Sequence, residues 1–174
     1  RHPHVFSTAE VGSAEDVIKQ WEMLKTTEKD GNKRVLSGVP DGLPPLLKAY
    51  RMQDKARGVG FDWEKKEDVW DKVKEEMGEY QAELDAMAAA QTEEEKAAAY
   101  DRAEDELGDF RFATVNAARL YGLNPDTALE RTCAKFRRRF TYLEEQTIRK
   151  GRNLKDMTLA EMDAIWDEGK AKGL

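Results

Sequence analysis

Apolar residues recur along the chain at helical spacing. Val17, Ile18, Trp21 and Leu24 form one stripe. Val69, Val73, Met77, Tyr80, Leu84 and Met87 form a second, and Leu107, Phe110, Ala113, Ala117 and Leu120 a third. A fourth runs through Leu129, Cys133, Phe136, Phe140 and Leu143. No strand–turn–strand signal and no internal repeat interrupts the pattern. The stops and starts fall between the stripes. Ser13, with Asp16 three residues on, opens a first helix, and a Gly- and Pro-rich linker, 31–45, follows it. A second helix is expected over about 45–57, ending at Gly58-Val59-Gly60, with Phe61-Asp62-Trp63 in the turn before the next. The third spans about 64–87. Thr92 with Glu95 caps a fourth, which runs to Tyr121 and ends at Gly122. Asn124-Pro125 opens a fifth that reaches about Arg149, and Thr158 with Glu161 opens a sixth containing Trp166. The expectation is an all-α fold: an N-terminal helical arm and linker over 1–42, then one helical domain over 43–174.

Composition narrows the function classes. The chain has 174 residues, enough for one domain with a core, and is rich in Ala, Glu, Lys, Leu and Arg. Charged residues make up 37% and the formal net charge is −6, so wide solvated helix faces are expected and general nucleic-acid binding is not. A nucleotide in a local basic pocket remains compatible with that charge. The lone Cys133 forms no internal disulfide, no apolar run approaches a membrane span, and no signal peptide is evident, so the expected location is cytoplasmic. The first residue is Arg1 rather than Met, which suggests a piece of something longer.

Two acidic segments carry the candidate chemistry, Glu75-Glu76-Met77-Gly78-Glu79 and Glu106-Leu107-Gly108-Asp109. Acids three residues apart share a helix face, but in so charged a chain spacing alone is weak. Position on the helical wheel says more. At about 100° per residue, Glu76 lies inside the edge of its apolar stripe and Glu79 just beyond it, while Glu75 points further out. Glu106 falls near the centre of its stripe and Asp109 on the flank, with Arg102 and Asn116. A carboxylate on an apolar face must be protonated, paired or metal-bound. Several acids meeting there suit Mg²⁺, Mn²⁺ or Ca²⁺ better than zinc. The plainer alternative is a buried salt-bridge network with Arg102, Lys135 or Arg139; Glu75 reads as solvated surface, and Glu83 lies near the stripe edge without a partner acid. Lys135 and Arg139 share one flank of the fifth helix, away from Arg137 and Arg138. Beside acid-bound metal such a pair suits a polyphosphate; without the acids it is as readily a solvated face.

At these residues the chain resembles the MazG family of all-α nucleoside-triphosphate pyrophosphohydrolases. The family pattern is two acids, two spacers and an acid, then an acid, two spacers and Asp. The resemblance also takes in Arg1-His2-Pro3-His4-Val5-Phe6, Gly60-Phe61-Asp62-Trp63, Phe112-Ala113-Thr114-Val115-Asn116 and Lys135-Phe136-Arg137-Arg138-Arg139-Phe140. These segments are similar to the C-terminal half of long, two-domain MazG proteins, which implies a preceding MazG-like domain. The resemblance implies hydrolysis of NTP to NMP and diphosphate with Mg²⁺, for which Mn²⁺ is a possible substitute. It also implies a homodimer whose helices complete a four-helix-bundle core. It implies metal ligation by Glu76, Glu79, Glu106 and Asp109, triphosphate contacts from Lys135 and Arg139, and further substrate contacts from Arg102 and Trp166. Glu75 or Glu76 is the candidate for orienting the attacking water. Two features depart from the pattern: Gly78 inside the first motif, and the Ala-rich, acidic stretch 86–100 between the motifs. A di-iron bundle would need Glu-x-x-His pairs, and the only histidines, His2 and His4, lie in the arm. A non-catalytic regulatory or dimerisation half is the remaining alternative.

Overall fold

A computed structural model describes residues 34–174. The expected first helix and the histidine arm lie outside the described residues. The described residues divide into two compact units, one ending at Pro125 and the other Asp126–Leu174. The described residues are helical, with no strand among them, and no described helix is long and apolar enough to cross a membrane.

The first unit opens with a 3-10 turn, Val35–Gly38, and then α1, Pro45–Gly58. Pro45 stands at the start of α1, where its missing N–H costs no helical bond. The end of α1 needs a glycine. Gly60 takes φ 90°, and the Phe61 N–H then turns back onto the Ala56 carbonyl at 3.0 Å. The next helix begins later than the sequence suggests. Glu64 and Lys65 stay outside it, Lys66–Asp68 makes a 3-10 turn, and α2 is Val69–Ala89. No side chain caps this end, so nothing fixes an earlier start. Thr92 and Glu95 form the complete reciprocal cap of α3, Glu93–Leu120. The inserted stretch 86–100 is therefore mostly helix, and it lengthens the α2–α3 hairpin at its far end. Gly122 at φ 69° ends α3, and Leu123 N–H closes onto Ala118 O at 2.8 Å.

Helices α2 and α3 pair along their length, and α1 packs on α3. Val69, Val73, Ala113 and Ala117 form the core of the hairpin, with Phe110 and Leu120 against them. Further along, Ala99 and Ala103 are buried, small side chains that let two helix backbones approach. Helix α3 also buries a second face that its main stripe does not announce. Val115 and Arg119 are buried there, and the Gln53 amide of α1 donates to Phe112 O at 2.8 Å.

The second unit holds α4, Pro125–Gln146, from its second residue on, and α5, Leu159–Ala171. Helix α4 stops short of Arg149 because Thr147, fully buried, turns its hydroxyl back onto Leu143 O at 2.6 Å. A 3-10 turn, Ile148–Lys150, follows. Thr158 and Glu161 form the complete cap of α5, as the sequence indicates. Tyr142 packs on Gly169, where an added Cβ would sit 3.3 Å from its ring, and its hydroxyl donates to Glu168 at 2.7 Å. Lys172 bonds both Tyr142 and Glu168.

Candidate functional site

Helix α2 carries Glu76 and Glu79 on adjacent turns of one face, and α3 carries Glu106 opposite them. One carboxylate oxygen from each of the three lies within 4.8 Å of the others. Glu76 is 7% exposed, beside Val69 and Val73, as its place inside the apolar stripe predicts. Glu106 is half-buried and Glu79 exposed. Burial pushes the Glu106 carboxyl above its ordinary pKa, and the charges of Glu79, Asp109, Glu76 and Glu83 push it the same way. Asp109 thus lies in the field of the cluster but outside the group of three.

Lys72, one turn before the acids, pairs with Glu76 at 2.6 Å and with Glu75 at 3.0 Å. These bonds, that to Glu76 first, raise the ammonium pKa above its ordinary value. Glu75 is mostly exposed, as expected of a residue pointing off the stripe. Arg102 bridges α3 to α2 by pairing with Glu83 at 2.8 Å, so the partner of Glu83 is a base rather than an acid. Among the described residues no ion pair reaches Glu79 or Glu106. Among the described residues Glu76 pairs with Lys72 rather than with Arg102, Lys135 or Arg139, and Arg102 is taken by Glu83, so the alternative salt-bridge network is not the one formed. A hard divalent cation matches what is left: clustered carboxylate oxygens, with nitrogen and sulfur ligands absent from the group.

The acid cluster borders a cavity of about 680 Å³ in the first unit. Glu76, Lys72 and Asp109 stand on its wall, and Phe61, Trp63 and Phe112 supply aromatic surface. The turn that brings Phe61 and Trp63 there is tied down at Asp62. Arg119 holds both Asp62 oxygens, at 2.5 and 3.1 Å, and also bonds the Asn116 side-chain oxygen. Periodicity gives no sign of this pair, because Arg119 lies off the main stripe and Asp62 lies in a turn. Gln53 is likewise missed. Lys72 was legible in principle, since it stands three and four residues before two acids.

In the second unit, Arg139 and Trp166 come together. The Arg139 guanidinium lies 5.9 Å from the Trp166 ring centre, and its Nε donates to Leu174 O at 2.7 Å. Phe136 meets Trp166 at 5.1 Å between ring centres. Lys135 and Arg138 are exposed on α4.

No family model matches the chain. It is 35% identical over 172 residues to the nucleoside triphosphate pyrophosphohydrolase of Escherichia coli (strain K12), an alignment covering 98% of this chain and 62% of that protein. It is 34% identical over 174 residues to the nucleoside triphosphate pyrophosphohydrolase/pyrophosphatase MazG of Thermotoga maritima, covering 99% of this chain and 60% of that protein. It is 43% identical over 171 residues to the uncharacterized protein YabN of Bacillus subtilis (strain 168), of which it covers 33%. The chain thus spans about three-fifths of the length of the first two relatives, as their 62% and 60% coverage states.

Proposed function

We propose that the chain, like the relatives named for this activity, is a nucleoside triphosphate pyrophosphohydrolase that converts NTP and water to NMP and diphosphate. The observation that carries this reading is the meeting of Glu76, Glu79 and Glu106, whose oxygens lie within 4.8 Å of one another. In this reading those three residues, with Asp109, hold Mg²⁺ or its substitute Mn²⁺. The bound ion would supply charge neutralisation for the triphosphate oxygens. Lys72 pairs with both Glu75 and Glu76 at the edge of the cluster. Glu75, the more exposed of the two, accepts a hydrogen bond from the attacking water and orients it, while Glu76 remains a ligand. Lys135 and Arg139 neutralise the triphosphate, and Arg102 and Trp166 contact the substrate. The active species is a homodimer in the cytoplasm, working in nucleotide-pool housekeeping or control of nucleotide signalling, and the full protein carries a preceding domain of the same kind.

The test is a panel of nucleoside triphosphates assayed with and without Mg²⁺, with products separated by chromatography. Diphosphate and NMP should appear together and only with the metal. Release of orthophosphate and NDP would contradict the chemistry. A complete lack of turnover would favour a regulatory or dimerisation half.

A further inference from the structure

The acid cluster has a cation built into its own helix. Lys72 stands one turn before Glu76 on α2, and its ammonium pairs with Glu76 at 2.6 Å and with Glu75 at 3.0 Å. The two partners differ. Glu76 is 7% exposed and belongs to the group of three with Glu79 and Glu106, whereas Glu75 is exposed and lies outside that group. Lys72 also stands on the cavity wall with Glu76 and Asp109. Arg102 of α3 is taken by Glu83. The next base along α2, Lys74, is exposed and pairs with Asp71 at 3.3 Å. A carboxylate as buried as Glu76 needs a partner charge, and Lys72 supplies it. Because Lys72 is on the same helix, its ammonium cannot diffuse away. A divalent cation arriving at Glu76 therefore meets a positive charge already seated there.

We propose, resting on the pyrophosphohydrolase reading and its metal site, that Lys72 is an internal competitor of the metal: its ammonium holds Glu76 until a divalent cation takes that carboxylate, and it thereby sets the concentration at which the site fills. Glu75 gives the displaced ammonium a second seat, since it is already bonded to Lys72, lies outside the group of three and is open to solvent. The charge on Lys72 acts in opposite directions on the two forms of the protein. Without metal it answers a buried carboxylate and stabilises the fold. With metal it repels the bound cation and weakens binding. A lysine that only buttressed α2 would act in one direction, because its removal would loosen the helix and the metal ligands together.

The experiment measures Mn²⁺ affinity by electron paramagnetic resonance of the free ion, Mg²⁺ affinity by competition against it, and thermal melting in EDTA. The wild type is compared with Lys72→Met, Lys72→Gln, Lys72→Arg and Lys74→Met. Lys72→Met and Lys72→Gln should bind both cations about fivefold or more tightly, the size expected of one unit charge acting on a divalent cation a few ångströms away. Lys72→Met should also melt below the wild type in EDTA, so that stability and affinity move in opposite directions. Lys72→Arg keeps the charge, and Lys74→Met removes the same charge from an exposed site on the helix, so both should stay within about twofold of the wild-type affinity. Lys72→Gln can still donate to Glu76, which keeps the test valid if Lys72→Met folds poorly. Unchanged or weaker cation binding in the uncharged Lys72 variants overturns the proposal and leaves the metal site standing. An equal gain in Lys72→Arg or Lys74→Met also overturns it, because the effect would then not come from the charge at this position. If the wild type binds no Mn²⁺ and Lys72→Gln does, the competition is upheld in its strongest form. If neither binds, the metal reading fails and the proposal falls with it.

Discussion

Glu106 stands opposite Glu76 and Glu79 with no basic side chain among the described residues against it, in a field that already raises its pKa. Replacing its charge should therefore separate stability from activity. Glu106→Gln is expected to abolish diphosphate release at saturating Mg²⁺ with helical content unchanged. Without divalent cation the same variant should melt above the wild type, because the clustered negative charge is relieved. Near-wild-type turnover would remove Glu106 from the metal set, and a lower metal-free melting temperature would show that the carboxylate is structural. Asp62 and Arg119 pose the opposite case, since their charges answer each other in a largely buried setting. Arg119→Met leaves Asp62 without its bidentate partner and should cost about 3 kcal/mol in urea unfolding. Asp62→Asn with Arg119→Met should cost much less than the sum of the single changes. Strict additivity would mean that the pair contributes no coupling to the fold. The sequence shows the first group and hides the second for one reason. Acids on an apolar stripe conflict with its periodicity, whereas a turn acid meeting an arginine 57 positions away conflicts with nothing local.

Helix ends were the best-read elements, because a cap depends on a few adjacent residues. Thr92 with Glu95 and Thr158 with Glu161 both form the reciprocal pair their spacing predicts. The start of α2 lies several residues beyond the expected one, where no such side chain exists, and α4 ends early, where Thr147 diverts the backbone. The cap of α5 makes a pH prediction. Bonds from the Thr158 backbone, the Thr158 hydroxyl and Arg152 hold the Glu161 carboxyl below its ordinary value of about 4.5. A depressed folded-state pKa means its stabilisation is complete above that value and is lost as pH falls through the folded pKa. Thermal melts from pH 6 to about pH 3 should show a smaller acid-induced loss in Glu161→Gln than in the wild type. Parallel curves would show that the cap does not titrate with folding. Helix α4 makes a second prediction, from charge. Lys135→Ala and Arg139→Ala should each lower kcat/KM for a triphosphate by about 10- to 100-fold, or about 1.4 to 2.8 kcal/mol, and Arg138→Ala far less. Arg139 also holds Leu174 O and covers Trp166, so its variant needs a melting curve beside the kinetics. Equal, modest losses at all three positions would reduce the helix to background potential. A dominant effect of Arg138 would rotate the assignment.

The buried interior of the described chain is small for its length. Its buried apolar residues are mainly alanine and valine, and the only side chains below 2% exposure besides alanine-sized ones are Val69 and Thr147. The large apolar groups remain at the surface: Phe61 is 82% exposed, Leu123 60%, Phe136 57% and Tyr100 56%. The apolar stripe of α4 shows the same pattern, since Leu143 is buried while Leu129, Cys133, Phe136 and Phe140 are exposed. Periodicity marks the α2 and α3 faces that the chain buries in part, but it does not distinguish them from the α4 stripe, which stays largely exposed. Exposed aromatic and leucine surface on this scale is unfavourable in water and is characteristic of association sites. Completing the helical bundle with a second copy would bury it, and a closed two-fold arrangement does so without leaving an open apolar edge. Light scattering at micromolar concentration should accordingly give twice the chain mass. If folding and this association are linked, the melting temperature should rise with protein concentration. Phe136→Asp, on the exposed stripe, should shift the mass toward the monomer and remove that concentration dependence. Light scattering that gave a monomer with full pyrophosphohydrolase activity, and a melting temperature independent of concentration, would show that the exposed faces serve some other partner and that one chain suffices for the site.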